Sequence, residues 1–461
     1  MTKVNVSLHD ICYGILLLSY APPFLYAEVV VDRTAPKNNQ PDLYYHIEEK
    51  KMCKMQNAYC QGGKYTVIDI QTPNSEGISH NKYVKFNAEK GKGYNKIIFN
   101  NIVASEKNGN SNLINGEAVV ILNEVTSMSK SQLDSLLIVA GQSADIIIAN
   151  PAGISCNGCR FRNTDYVTLT TGVPAFKGDK LAGFNVYQGN IYIGKEGLQH
   201  NEYMDNYLDL FSESLKVDGK IETTDLLSIS GKNAISFKSD NKLWLRSLAG
   251  FSYNSKSEIG TDVSQLGGMY ANKIFIVSKR SGSSNQGEII ADDIVSINSD
   301  FFISNVSGKI ESHKIKLKST GLIDNSKGRI KSERQGANYN QKEKFGVRIK
   351  GGLIKNHEGS IYANSGYVSM EAKNAFYNNN GDIRTLGSSG PADIKIKAKS
   401  MNNLNGSVIS SDNIKVNANV FQNNHGRVIS AFDQVDLHYK ILSNKKGVIR
   451  GGLGVSKNIK P

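Results

Sequence analysis

Apolar and polar residues alternate in short runs along most of this chain, and turn-forming residues separate the runs. Ile146–Ala149 is one such apolar run, and it leads into Asn150-Pro151-Ala152-Gly153-Ile154. Pro151 presets a turn, and Gly153 admits positive φ where the chain reverses. Asn150 precedes proline and is pushed toward an extended conformation. Alternation resumes at Val167-Thr168-Leu169-Thr170. The pattern predicts strand, turn, strand. Helical periodicity is scarce elsewhere, so the chain reads as all-β.

The second half repeats itself. The core Asn-x-x-Gly-x-[Ile/Val] occurs at Asn305/Gly308/Ile310, Asn325/Gly328/Ile330, Asn356/Gly359/Ile361, Asn378/Gly381/Ile383, Asn403/Gly406/Val408, Asn423/Gly426/Val428 and Asn444/Gly447/Ile449. Weaker copies lie at Ser284/Gly287/Ile289 and Gly219/Ile221. Most steps span 20–25 residues, and a second alternating strand such as Tyr367–Ala372 follows each core. That period predicts a right-handed parallel β-helix, a solenoid whose coils stack about 4.8 Å apart. In this reading the glycine turns each corner, the asparagine bonds backbone groups or its own copies, and the aliphatic points inward. A propeller blade needs about 40–50 residues and usually a tryptophan, and the chain has a single Trp. About 20 coils would make a rod roughly 100 Å long. The polar stretch Ser332–Lys344 breaks the period and reads as an inserted loop.

The N-terminus carries Lys3, an apolar run at Ile11–Leu18, Pro22-Pro23 and a small residue at Ala27. This is the layout of a secretory signal over residues 1–27. Five cysteines occur, and Cys12 would leave with the signal. The others form two close pairs, Cys53/Cys60 and Cys156/Cys159. Export favours disulfides; four cysteines can also hold zinc, and Cys-x-x-Cys can be redox-active. An apolar content of 39% argues against a disordered chain. The net charge of +13 is spread along strands, as in Lys314-Ile315-Lys316-Leu317-Lys318 and Lys395-Ile396-Lys397. Such spacing describes a solvated strand face, or a basic ladder attracting anionic surfaces. No aromatic interleaving or known module points to nucleic acid.

Catalytic patterns are lacking. The sequence holds no phosphate-binding glycine loop, no Gly-x-Ser-x-Gly and no paired-histidine metal motif. Asp292-Asp293 reads as a solvated turn. No cofactor and no metal ligand set is indicated.

Residues 121–172 carry more specific information. They run through Leu122-Asn123-Glu124-Val125, Val139-Ala140-Gly141-Gln142, Ala144-Asp145 with aliphatics, Asn150-Pro151-x-Gly153-Ile154, Cys156-x-x-Cys159 and Thr168-Leu169-Thr170-Thr171-Gly172. Upstream lie Asp69–Asn74, Gly77–Tyr83 and Asn110-Ser111-Asn112-Leu113. This ordered set resembles the secretion domain of two-partner secretion exoproteins, the filamentous haemagglutinins and contact-dependent growth inhibition proteins among them. The match covers about residues 65–175. Ser111 stands where the family's first motif has proline, and Ala152 where its second has asparagine.

The resemblance implies residues 28–300 as a β-helical secretion domain with extra-helical strands near the N-terminus. It implies residues 301–461 as the first, truncated part of a β-helical filament. Asn110, Asn112, Leu113, Asn150, Pro151, Gly153 and Ile154 would form the secretion motif, and Cys156/Cys159 a pair found at this place in part of the family. The implied partner is an outer-membrane β-barrel transporter, reached through the periplasm of a Gram-negative bacterium. Outside the cell the chain would act as an adhesin-like filament, or as the N-terminal part of a contact-dependent inhibition toxin, meeting glycans or receptors on host or neighbouring cells. No enzyme activity is expected. The other class considered is a β-helical polysaccharide lyase or hydrolase.

Overall fold

The computed structural model describes residues 29–48, 63–88, 96–199, 207–237, 243–247, 258–333, 345–364, 366–386 and 392–460. The signal segment, Cys12, Cys53, Cys60 and most of the predicted insertion lie outside the described residues. Among the described residues strands make up nearly all regular structure, with one short turn of helix at Lys37–Asn39.

The strands coil. Val167 sits beside Ile146 in parallel register, and Leu208 beside Val167. Ile154–Cys156 and Cys159–Arg162 fill the stretch between the two levels and pair with other neighbours. Tyr166–Thr170 is therefore the next level of the same face, not the return arm of a local strand pair. One inward column runs from Val167 through Leu226, Val295, Val347 and Ile394 to Val435. A second runs from Cys159 through Leu198, Ile221, Met269 and Ile289 to Val428. These residues form one continuous buried core. Each fully buried Ile, Leu or Val contributes about 1.5–3 kcal/mol, and a one-residue slip would turn a whole strand's aliphatics to solvent.

The face that begins at Ile78–Phe86 and ends at Gly454–Ile459 carries about fifteen levels, a rod of roughly 70 Å at parallel-strand spacing. That is shorter than the sequence period suggested. The reason is that residues 173–186 and 233–247 leave the coil path. Val173–Lys177, Lys180–Val186, Asn233–Phe237 and Leu243–Ser247 form a separate four-stranded antiparallel sheet. Leu181, Phe184, Val186 and Ile235 of that sheet pack on the outward side chains Leu122, Ile147, Ala149, Phe211 and Ile229 of the rod. Strand Asp145–Ala149 is thus apolar on both faces because both faces are covered. At the first end, Val29–Val31 and Asp42–Glu48 pair antiparallel with Ile78–Phe86 and Gly63–Asp69. This blocks a sheet edge that would otherwise stay open.

The repeated asparagines form a hydrogen-bonded column. Nδ2 of Asn285 donates to Oδ1 of Asn305, and the chain continues through Asn325, Asn356, Asn378, Asn403 and Asn423 to Asn444, every link 2.7–2.8 Å. From Asn305 on, the second Nδ2 hydrogen goes to the carbonyl of the glycine three residues later. Aligned side-chain amides polarise one another, which strengthens each link. The weaker copy joins through Asn285, not Ser284. Below Asn285 the same column is apolar: Leu133, Cys156, Ile193, Val217, Val263. Oδ1 of Asn285 consequently has no donor.

The glycine's role differs from the sequence expectation. Positive φ falls on the residue before it: Ser307, Lys327, Glu358, Asn380, Asn405, His425 and Lys446, at 51–59°. The glycine is required for close approach. A Cβ on Gly328, Gly381 or Gly406 would overlap the carbonyl oxygen of the asparagine one coil earlier. Asp292 and Asp293 also depart from expectation, lying inside strand Glu288–Ser299 at a register irregularity rather than on a turn.

Candidate functional site

Asn150 ends strand Asp145–Ala149 and is fully buried. Its Nδ2 donates to the Ser129 carbonyl and to Ser131 Oγ, both at 2.9 Å, and its Oδ1 accepts from the Ala152 N–H at 2.9 Å. Its own N–H reaches the Thr170 carbonyl on the next coil at 2.8 Å, and Gly153 N–H closes the turn on the Asn150 carbonyl at 3.0 Å. Gly153 has φ +120°, a region that L side chains rarely adopt. Ile154 then stacks between Ser131 and Ile191. Pro151 and Ala152 are half-buried.

Asn110 repeats this arrangement. It is fully buried, donates to the carbonyls of Ile70 at 2.8 Å and Asn100 at 3.0 Å, and accepts from Asn112 N–H at 2.9 Å. Leu113 N–H closes the turn at 3.0 Å, and its side chain enters the core. Asn112 Nδ2 reaches the Ile70 carbonyl at 3.3 Å, and Thr72 Oγ1 donates to the Asn112 carbonyl at 2.7 Å. Both departures from the family pattern avoid these bonds. Ser111 is exposed, and Ala152 contributes only its backbone N–H.

A third corner was missed by sequence reasoning. Asn74 Oδ1 accepts from Glu76 N–H at 3.1 Å and Ile78 N–H at 3.0 Å, and Gly77 N–H closes on the Asn74 carbonyl at 2.9 Å. The signal was present: Asn74-x-x-Gly77-Ile78 has the spacing of Asn150-x-x-Gly153-Ile154. Here the extra sheet docks. Asn74 Nδ2 donates to the Asp179 carbonyl at 2.7 Å, Ser75 Oγ to the Asp179 carboxylate at 2.6 Å, and Phe176 stacks on His80 with centroids 5.3 Å apart. His80 also meets Glu124 at 2.7 Å. Burial raises the Glu124 carboxyl, but His80 and Lys82 outweigh it and hold the group below its usual value.

Cys156 and Cys159 are joined by a disulfide around Asn157-Gly158, with Cα atoms 5.3 Å apart. Both are buried in the core, each in its own column. Replacing both by alanine is expected to lower stability by about 2 kcal/mol, because the closed loop is short. Urea unfolding of the variant beside the oxidised parent measures this.

Asp209 is a buried carboxylate whose partner is Tyr166 Oη, donating at 3.0 Å. Burial pushes its pKa up to about 7, the Tyr166 bond opposing. Burial, helped by the Asp165 charge, lifts Asp145 to about 6. A raised carboxylate binds its proton more tightly when folded, so it weakens the native state as pH climbs from about 4 to about 7. Asp209→Asn should therefore raise Tm above pH 7, with the gain vanishing toward pH 4. Melting curves across that range provide the check. Asp209 as a whole is only 6% exposed. Among the described residues no cluster of three or more His, Cys, Asp or Glu could hold a metal ion.

The site thus lies on a parallel β-helix with a flanking antiparallel sheet, capped at its first end and cornered by buried asparagines. The TPS secretion domain profile matches residues 47–312, more than half the chain, and the chain belongs to that two-partner secretion family. A protein named Toxin CdiA from Yersinia pestis is 34% identical over 311 residues, covering 65% of this chain and 9% of the relative. A protein named Hemolysin from Proteus mirabilis is 32% identical over 249 residues, covering 52% of this chain and 15% of the relative. The crystal structure of the filamentous hemagglutinin secretion domain aligns at 19% identity with a TM-score of 0.39, over 90% of this chain and 98% of that one. The chain thus spans a small fraction of the length of these two sequence relatives. The nuclease names attached to other relatives belong to proteins matched here over 6–8% of their length.

Proposed function

We propose that residues 28–300 direct this chain through a dedicated outer-membrane β-barrel transporter, and that residues from 301 on begin a filament displayed outside the cell. The family match over residues 47–312 is the observation that carries this reading. The fold supports it physically. Each coil forms by pairing with the one before, so a finished coil templates its successor, and export from the N-terminus can proceed as folding does. The path runs through the periplasm, where an oxidising environment suits the Cys156–Cys159 bridge. In a longer parent the filament serves adhesion or carries a toxin, the second being favoured by the name Toxin CdiA of one relative.

Co-expression with a transporter of the two-partner class tests this. The chain should reach the medium or cell surface only when that transporter is present, and remain in the periplasm without it. Equal release in both strains would overturn the reading.

A further inference from the structure

Five Asn-Gly pairs occur in the chain, beginning at Asn108, Asn115, Asn157, Asn380 and Asn405. Such a pair can modify itself. The backbone nitrogen after an asparagine can attack the side-chain amide carbon, and glycine places no side chain in the way. Asparagine counts among the thermolabile residues.

Four of the five pairs are held closed. Gly109 N–H donates to the Glu106 carbonyl at 3.0 Å, and Gly158 N–H to the Gly197 carbonyl at 2.7 Å. Gly381 and Gly406 N–H donate to the carbonyls of Asn378 and Asn403, each at 3.2 Å. Attack from any of these nitrogens first requires breaking its bond. The asparagines are held as well. The Asn108 carbonyl accepts from Asn100 Nδ2 at 3.2 Å. Asn157 Oδ1 accepts from Glu196 N–H at 2.9 Å, within the disulfide loop. Asn380 and Asn405 N–H donate to the next coil, to the carbonyls of Leu404 at 2.9 Å and Asn424 at 3.1 Å. The tight corner that requires glycine in the repeats thus also shields the pair.

Asn115-Gly116 differs. It lies in the stretch Ile114–Glu117, between two buried anchors, Leu113 and Ala118. Leu113 N–H bonds the Asn110 carbonyl at 3.0 Å, and Ala118 N–H bonds Asn101 Oδ1 at 2.8 Å. Among the described residues, neither Gly116 N–H nor the Asn115 side chain has a hydrogen-bond partner. Asn115 is exposed and Gly116 holds φ +125°. Chain neighbours aside, no atom lies within 4 Å of where a Cβ on Gly116 would stand. Nothing restrains this nitrogen from swinging onto the amide.

We propose that Asn115-Gly116 is a site of self-modification in the folded protein. Gly116 nitrogen bonds to Asn115 Cγ, the Cγ–Nδ2 bond breaks, and Nδ2 leaves as ammonia carrying the proton that Gly116 nitrogen gives up. Water then opens the cyclic imide at either carbonyl and restores the chain through an aspartyl or an isoaspartyl linkage. Water enters, ammonia leaves, and no electrons are exchanged. The product places a negative charge beside Glu117, between the exposed side chains of Ile114 and Val119. The Asn110 corner keeps its bonds, because none of them involves Ile114–Glu117. The proposal stands independently of the export reading.

Incubation of the purified full-length chain at mildly alkaline pH, followed by peptide mass spectrometry, provides the test. Fragment ions must separate Asn108 from Asn115, since no Lys or Arg lies between them. In the folded chain Asn115 should change from amide to acid at least about tenfold faster than the other four, whose N–H bonds must open first. In guanidinium chloride with reductant all five should convert at comparable rates, because unfolding removes what shields four of them. Asn115→Gln should abolish the fast conversion and melt with the parent, as expected of an exposed side chain without partners. The proposal is overturned if another pair converts as fast in the folded chain. It is equally overturned if Asn115 stays intact when folded while the unfolded chain converts, or if Asn115→Gln leaves the fast conversion in place. A lower melting temperature for that variant would reveal a restraining bond and sink the premise of an open loop.

Discussion

Asn150→Ala is expected to reduce transporter-dependent export at least about tenfold while leaving a periplasmic pool. The substitution removes both Nδ2 hydrogen bonds, to the Ser129 carbonyl and Ser131 Oγ, and the acceptor for Ala152 N–H. Stranding buried polar groups costs about 1–3 kcal/mol each, and the corner they leave unsatisfied sets the level from which Val167–Thr170 continues. Asn110→Ala should act alike, since it unties the Ile70 and Asn100 carbonyls. Asn150→Asp should be no better, because it keeps the acceptor, loses both donors and buries a charge. Pro151→Ala and Ala152→Asn, at half-buried positions, should export within about twofold of the parent if their side chains make no essential bond. Quantifying periplasmic and extracellular protein separately measures each effect. A folded Asn150→Ala chain with unchanged melting temperature but no export would show that the side chain is read directly, before the corner closes. Normal export of that variant would sink its role altogether.

Gly406→Ala should destabilise the repeats by roughly 3–5 kcal/mol, while the neighbouring Asn405→Gly should change stability by less than about 1 kcal/mol. The contrast follows from two different backbone demands. Asn405 holds φ +53°, a conformation that glycine adopts at no steric cost. Gly406 has no such φ, but a Cβ there would overlap the Asn378 carbonyl oxygen and crowd Asn403 Oδ1. Relief requires the coils to part, which stretches the 2.7 Å link between Asn378 and Asn403. Urea melts of both variants decide the matter. A larger loss for Asn405→Gly than for Gly406→Ala would mean that the corner depends on torsion and not on contact.

The repeat was legible because its residues answer to purely local and nearest-coil requirements. Asn305, Asn325 and their successors recur once per coil since each must reach the previous one, and Ile310, Ile330 and Ile361 follow because each faces the same interior column. The division of labour within the corner was not legible. A glycine needed for positive φ and a glycine needed for close approach look identical in sequence, and only the stacked neighbour, Asn378 over Gly406, separates them. Asn74-x-x-Gly77-Ile78 could have been matched to Asn150-x-x-Gly153-Ile154 from spacing alone, yet its function as a dock for Asp179 depends on a hairpin about a hundred residues away.

Alternation and period by themselves determined a coiled, all-β chain whose aliphatics line one interior, because strand side chains have period two and each coil must bury what the last one offers. The ordered motifs from Asp69 to Gly172 determined the family. Tertiary structure alone decided which outward faces are dry. Leu122, Ile147 and Phe211 are sealed beneath an antiparallel sheet, whereas Lys316, Arg348 and Lys395 are left to solvent. That choice depends on where segments 173–186 and 233–247 leave the coil and on what they fold back upon, contacts too distant in sequence for any local pattern to carry.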